Sequence, residues 1–262
     1  MDLGLSGRKA LVLSSSRGLG RAIATKLAAE GADVLLTGRN EAALSEAVAA
    51  INAQGSGRAD HLVADLTHAD FAATTAEAAL ARLGKVDILV NNTGGPPPGG
   101  AATIDAAVLA TQAQAMVFRV IDLTTRLLPG MRAEKWGRVL TVASSGVVQP
   151  IPNLALSNTL RSALVGWSKT LASEVAADGV TCNLLLPGRI QTDRVDELDA
   201  AAAQKSGKDI DAVRSASRAA IPAGRYGSPD EFAAVAAFLC GVPASYVTGS
   251  VIRCDGGAIR SV

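Results

Sequence analysis

The sequence predicts an α/β domain built on a doubly wound parallel sheet, and three observations carry that prediction. Short β-branched or Leu-rich runs alternate with Ala-rich stretches, the rhythm of parallel strands joined by crossover helices. A Gly-rich turn follows the first such run and opens the first Ala-rich stretch. The 262 residues, 48% of them hydrophobic, suffice for one substantial core, so residues 1–262 read as a single domain.

Taken in order, seven runs read as strands: Lys9 to Leu13, Asp33 to Thr37, His61 to Ala64, Ile88 to Asn91, Arg138 to Val142, Thr181 to Leu185 and Val251 to Cys254. The first helix follows the Gly-rich turn and runs to Glu30. Between Leu156 and Ala177, the residues Leu160, Leu164, Trp167, Leu171 and Val175 recur at helical spacing, with Gly179 just beyond as a stop. Trp167 is expected to be exposed there. The loop Gly94-Gly95-Pro96-Pro97-Pro98-Gly99-Gly100 is too rigid and too poor in donors to continue either neighbour, and is expected to line a cleft mouth. Residues 191–220, polar and Ala-rich, are expected to form a lid over the substrate.

Composition excludes several classes of function. A formal net charge of +1, no basic run and 3% aromatics argue against nucleic-acid binding, which needs clustered Lys and Arg. No run reaches 18 consecutive apolar residues and the amino terminus lacks a leader pattern, so a cytoplasmic location without membrane insertion is expected. Cys182, Cys240 and Cys254 are widely spaced in apolar stretches and read as buried free thiols. His61 and His68 have no cluster of acids or thiols around them, so no metal site is expected. A small-molecule substrate remains.

The turn Leu13-Ser14-Ser15-Ser16-Arg17-Gly18-Leu19-Gly20 carries the first chemistry. Glycines between a strand and a helix let the backbone approach a pyrophosphate, whose charge the helix amino terminus favours. Ser14, Ser16, Arg17, Gly18, Leu19 and Gly20 are therefore candidate cofactor contacts. The second strand ends Thr37-Gly38-Arg39-Asn40, with a cation where a carboxylate would select a free ribose hydroxyl. Arg39, with Arg17 beside the same phosphate, favours NADP over NAD.

The spacing of this turn resembles the TGxxxGxG turn of the short-chain dehydrogenase/reductase family, with Leu13 and Ser14 in place of Thr and Gly. Three further stretches match in order. Asn91-Asn92-Thr93-Gly94-Gly95 resembles the NNAG strand end, Pro187-Gly188-Arg189-Ile190-Gln191-Thr192 the PGxIxT loop, and Gly224 to Pro229 with Cys254 to Gly257 the terminal third. The likeness is greatest to 3-oxoacyl-carrier-protein reductases, particularly a divergent branch with imperfect cofactor and catalytic motifs. The resemblance implies a Rossmann-like, seven-stranded sheet with helices on both faces, and a homotetramer or homodimer. It also implies that Asp65 and Leu66 lie at the adenine and that Asn91, Thr93 and Gly94 form the cofactor-side backbone. Pro187, Gly188, Ile190 and Thr192 would then hold the nicotinamide.

At the catalytic positions the pattern departs from the family. Ser144, after the fifth strand, aligns with the family's active serine. Thirteen residues on, Ser157 stands where the family has tyrosine, and one helical turn later Arg161 stands where it has lysine. Arg161 is assigned both to this centre and to the nicotinamide ribose. The family's asparagine maps onto Ala113, between Gln112 and Gln114, with a short insertion expected near Pro129. A phenol of reference pKa about 10 is a usable proton donor when a lysine lowers it, whereas an aliphatic hydroxyl is a far weaker acid. Tyr226 and Tyr246 are expected to be structural. Three readings stay open: a reductase with an altered proton path, a silent nucleotide-binding homologue acting as sensor or partner subunit, and a structural subunit. The nicotinamide loop speaks against the third.

Overall fold

A computed structural model describes residues 1–261. Its sheet has the order β3-β2-β1-β4-β5-β6-β7 and every pairing is parallel. The strands are β1 (Lys9–Val12), β2 (Asp33–Gly38), β3 (Ala59–Val63), β4 (Ile88–Asn91), β5 (Gly137–Val142), β6 (Val180–Pro187) and β7 (Val251–Cys254). All seven expected strands are present: β4 and β7 keep the expected ends and the others shift by one or two residues. β1 stops at Val12 because the turn residue Ser14 takes a left-handed conformation, φ +48°. β3 begins two residues early, where Asn52 brackets Ala59 through both its amide atoms. β6 extends to Pro187 because β7 pairs along it as far as Cys254.

Alternation along the strands sorts the core into two layers, since successive side chains leave a strand on opposite faces. On one face Ala10, Val12, Val34, Leu36, Ile88 and Val90 pack against α1 (Gly18–Ala29), α2 (Glu41–Asn52) and, late in the chain, α9 (Pro229–Cys240). On the other, Leu11, Leu13, Leu35, Leu89 and Val139 pack against α3 (Phe71–Leu83), α5 (Arg119–Ala133) and α6 (Ala155–Val175). Between α3 and α5 lies α4 (Ala106–Ala113); α7 (Asp193–Ser206) and α8 (Ile210–Ala219) occupy the expected lid.

Several expectations are corrected. Trp167 is not exposed: it is half-buried against Met116, Val117, Val120, Leu160 and Leu164, where α6 meets the helix before it. Pro129 lies inside α5, and the one irregularity along this stretch is a π turn at Gln114–Phe118, directly after Ala113. A π turn absorbs one extra residue, and here it does so where the alignment expected the family's asparagine. Tyr246 is fully exposed and packs nothing, while Tyr226 is buried. Cys182 and Cys240 are buried, and burial pushes both thiols up to about 12; Cys254 is only half-buried.

Candidate functional site

The strand order reverses between β1 and β4, and in open α/β sheets ligands bind in the crevice beyond the strand ends at that point. The Gly-rich turn lies on one side of this crevice. Ser14 N–H donates to Thr37 Oγ1 at 3.2 Å, and Ser15 N–H to the Thr37 carbonyl at 2.7 Å, tying the turn to β2. Asn92 Nδ2 donates to the carbonyls of Leu13 (3.3 Å) and Ser14 (3.2 Å), tying it to the end of β4. Gly20 is required by this closeness: a Cβ there would lie 2.4 Å from the Ser14 carbonyl and 2.8 Å from Asn92 Nδ2. Gly18 has φ +59° and an open flank. Arg17 precedes α1 without capping it, so no side chain covers the first N–H groups of that helix.

These features fit a dinucleotide. The turn approaches closely, the helix end is uncovered, and two buried oxygens on the same rim, Asn91 Oδ1 and Thr93 Oγ1, have no partner. Asn91 is otherwise held by Nδ2 donating to Thr124 Oγ1 at 3.1 Å. Leu19 and Leu66 pack their half-buried side chains against the two core layers. Ser16 is half-buried against Gly38, at the end of β2.

At the far end of the crevice, Arg39, Ala64, Asp65, His68 and Phe71 line a cleft of about 370 Å³. Burial opposes ionisation of Asp65, but bonds from Thr67, including its N–H at 2.9 Å, and the charges of Arg39 and His68 outweigh it and hold the carboxyl below its ordinary value. Arg39 is exposed. Arg17, the other expected phosphate partner, instead reaches Glu197 (3.3 Å) and Asp193 (3.6 Å) on α7.

Ser144, Ser157 and Arg161 lie beyond the ends of β4 and β5. Ser144 Oγ accepts from Gly146 N–H at 3.1 Å, leaving its hydroxyl proton free to donate. Ser157 and Arg161 are 8% and 7% exposed. Arg161 Nη1 donates to the Val142 carbonyl at 2.9 Å, and Nη2 to those of Thr93 (3.4 Å) and Gly94 (3.3 Å). No carboxylate pairs with it among the described residues. Burial lowers its pKa to about 10, which leaves it charged at neutral pH. Asn158 is occupied with both main-chain groups of Ile151.

The Pro-rich loop is fastened to α6. Gly99 N–H donates to the Asn153 carbonyl (2.9 Å) and Ala155 N–H to the Gly99 carbonyl (3.1 Å), so the loop is stitched to the start of α6. A Cβ on Gly95 would lie 3.7 Å from the Arg194 guanidinium of α7, which closes the opposite side. The segment Pro187 to Thr192 is held from below: Gly188 N–H donates to the Cys254 carbonyl, and a Cβ on Gly188 would lie 2.6 Å from Asp255 Cα. Ile190 is buried in the core, so its side chain is unavailable to a ligand; Thr192 is half-buried ahead of α7.

Sequence reasoning missed Asn92, Thr37 and Asp199. Asn92 and Thr37 stood inside recognised stretches, but the role went to a neighbour, Asn91 in one and Arg39 in the other; Asp199 had no motif at all. Asp199 is 1% exposed and accepts from Arg189 Nη1 (2.6 Å) and from the Tyr226 hydroxyl (2.9 Å).

Residues 13–258 match the family model described as enoyl-(acyl carrier protein) reductase. The 3-oxoacyl-[acyl-carrier-protein] reductase of Vibrio cholerae is 32% identical over 257 residues, covering 97% of this chain and 98% of its own. The D-beta-hydroxybutyrate dehydrogenase of Cupriavidus necator is 35% identical, over 97% of this chain and 98% of its own. Among solved structures, L-sorbose reductase from Gluconobacter frateurii, complexed with NADPH and L-sorbose, superposes with a TM-score of 0.94 at 31% identity over the whole of both chains. With a near-complete sequence match and a superposition over the whole chain, the chain belongs to the short-chain dehydrogenase/reductase family and is 3-oxoacyl-carrier-protein-reductase-like.

Proposed function

We propose that this protein is an NADP-dependent oxidoreductase acting on a carbonyl or hydroxyl substrate, 3-oxoacyl-like in class, through an altered proton path. The observation that carries this reading is the cradle itself: Gly20 pressed against Ser14 and Asn92 beneath an uncovered helix end. A chain that had abandoned the nucleotide would not need that contact. When bound, NADPH supplies the hydride. Ser14, Ser16, Gly18 and Gly20 hold its pyrophosphate, Arg39 the ribose phosphate, Asp65 the adenine, and the segment Pro187 to Thr192 the nicotinamide.

Ser144 would hydrogen-bond the substrate oxygen through its hydroxyl and polarise it, keeping its own proton. Ser157 adds a second, weaker donor. Arg161 does not relay protons; its role is to tie Val142 to Thr93 and Gly94 and to set a positive potential under the reacting oxygen. The proton comes from water or from the substrate. Losing a positioned general acid costs about 10²- to 10⁴-fold, so turnover is slow by family standards.

One observation favours a second reading, a nucleotide-binding homologue that senses or partners rather than turns over. Arg161 spends its guanidinium on three main-chain carbonyls, which a catalytic lysine substitute would not do. Calorimetric titration with NADPH, followed by NADPH oxidation in the presence of 3-oxoacyl thioesters, separates the two. Binding without oxidation selects the second; no binding rejects both.

We also infer that the chain self-associates as a dimer or tetramer. The continuous helical stretch Ala106–Ala133 is long and apolar enough to cross a membrane by length and composition, yet its most apolar window is only 22% buried. Its inner face, Val120, Leu123, Leu127 and Met131, is core, and Arg119, Asp122, Arg126 and Arg132 interrupt the rest. A soluble helix with an apolar outer face at Val108 and Phe118 suits a second copy better than lipid.

A further inference from the structure

We propose that Asp199 is a positioning residue that joins the lid helix α7 to the nicotinamide-side loop, so that the two move as one body. It rests on the reading of that loop as the cofactor's seat. Asp199 is the most buried residue of α7, and its two carboxylate oxygens reach different segments: Oδ1 takes Arg189 Nη1 at 2.6 Å, Oδ2 the Tyr226 hydroxyl at 2.9 Å. Arg189 stands between Gly188 and Ile190. Tyr226 belongs to the segment bridged to that loop, with Gly227 N–H donating to the Arg189 carbonyl (2.9 Å) and Gln191 N–H to the Gly227 carbonyl (2.8 Å). Three pieces therefore meet at one carboxylate.

The chemistry favours a lock over a casual contact. A carboxylate with 1% exposure costs several kcal/mol to desolvate, and it persists only where charge and hydrogen bonds offset that cost. Arg189 supplies the charge and Tyr226 the second donor. Around them the lid has a small core of its own, Val195, Ile221 and Tyr226, separate from the two sheet layers. The rest of the lid surface is polar: Arg214 pairs with Asp196 at 2.8 Å, and Arg17 with Glu197 at 3.3 Å. Those exposed pairs are weak, so Asp199 is the strong fastening.

The lock makes a prediction that a purely structural role does not. Asp199→Ala should weaken NADPH binding about tenfold, the loss expected for a charged hydrogen-bonded pair. It should speed limited proteolysis within residues 191–220 and leave Tm within a few degrees of wild type, because both sheet layers are untouched. Arg189→Ala should move both readouts in the same direction, and the double variant Asp199→Ala, Arg189→Ala should be no worse than Asp199→Ala alone, since that change already removes the partner of Arg189 together with that of Tyr226. Tyr226→Phe keeps the ring and should lose only a few-fold. If Asp199→Ala fails to fold, Arg189→Ala and Tyr226→Phe carry the test. Unchanged NADPH affinity with unchanged lid cleavage overturns the proposal, as does a fall in Tm that accounts for the whole loss of binding. Should wild type bind no NADPH, the reading of the loop fails instead, and lid cleavage in the free protein still decides the lock.

Discussion

Ser157 and Arg161 stand one turn apart on α6, both buried, yet only Arg161 reaches beyond the helix, to the carbonyls of Val142, Thr93 and Gly94. On the function proposed above, the pair has changed in kind. In a tyrosine and lysine arrangement both groups act on the same proton, whereas here one is a short hydroxyl and the other a strut between the ends of β4 and β5. Guanidinium suits that work, because its planar fork offers several donors at fixed angles while an ammonium offers a point charge.

NADPH should bind more tightly than NADH. Arg39 is exposed at the end of β2 and lines the cleft that also holds Asp65. Arg39→Ala should weaken NADPH about tenfold or more and leave NADH nearly unchanged, as expected when one charge-assisted contact to a phosphate is removed. Arg17→Ala should do less, since Arg17 already engages Asp193 and Glu197. Calorimetric titration with both nucleotides checks this; equal affinities in wild type would remove the phosphate role.

Self-association should depend on the outer face of the helix between Ala106 and Ala133. Phe118 is 51% exposed on its π turn, so Phe118→Asp removes apolar contact from any partner while disturbing little inside the monomer. Light scattering at micromolar concentration should show wild type as a dimer or tetramer and the variant shifted to smaller species. A monomeric wild type would defeat the inference.

Acid should expose the contribution of the cap on α9. A side-chain bond from Arg225, then the Ser228 N–H, lowers the Glu231 carboxyl from its ordinary 4.5 to about 2. A carboxyl lowered in the folded state stabilises above its unfolded pKa, and that contribution is lost as pH falls from about 4.5 to 2. Arg225→Met should therefore lower Tm at pH 6 and flatten the fall in Tm across that window. The pair is exposed, so the effect is small and best read by comparing Tm against pH for the two proteins.

The fold was legible because each strand shows its own signature. Runs such as Ile88 to Val90 are short and wholly apolar, as strands buried on both faces must be, and Gly179, left-handed, ends the short turn that follows α6. The cradle was legible for a similar reason: glycines at fixed spacing have a local cause. Asp199 was not legible, because its partners Arg189 and Tyr226 lie 10 residues before it and 27 after it, and no local pattern links them. Trp167 was misjudged by the same blindness, since its position on α6 suggested an exposed contact for a second subunit while the cluster that holds Met116 and Val117 half-buries it within the chain. Tertiary pairings of this kind are decided by packing, which periodicity along one element does not encode.

Restoration tests the proposed catalytic centre directly. The double change Ser157→Tyr, Arg161→Lys should raise NADPH-dependent reduction of a 3-oxoacyl thioester by up to about 10²- to 10⁴-fold, the range for regaining a positioned general acid. Ser157→Tyr alone should gain less, because Arg161 stays engaged with three carbonyls and supplies no relay. Arg161→Lys alone should gain nothing and should lose stability, since one ammonium has three donors but cannot span the same fork geometry. The structure also sets an obstacle: Ser157 is 8% exposed, so a phenol must find room toward the mouth, beneath the loop stitched to Asn153 and Ala155. Steady-state rates for wild type, both single variants and the double variant, each with its Tm, separate lost chemistry from lost packing. A wild type faster than a well-folded double variant would mean that Ser144, Ser157 and Arg161 serve a different reaction, one in which a buried positive charge does what a proton donor does elsewhere in the family.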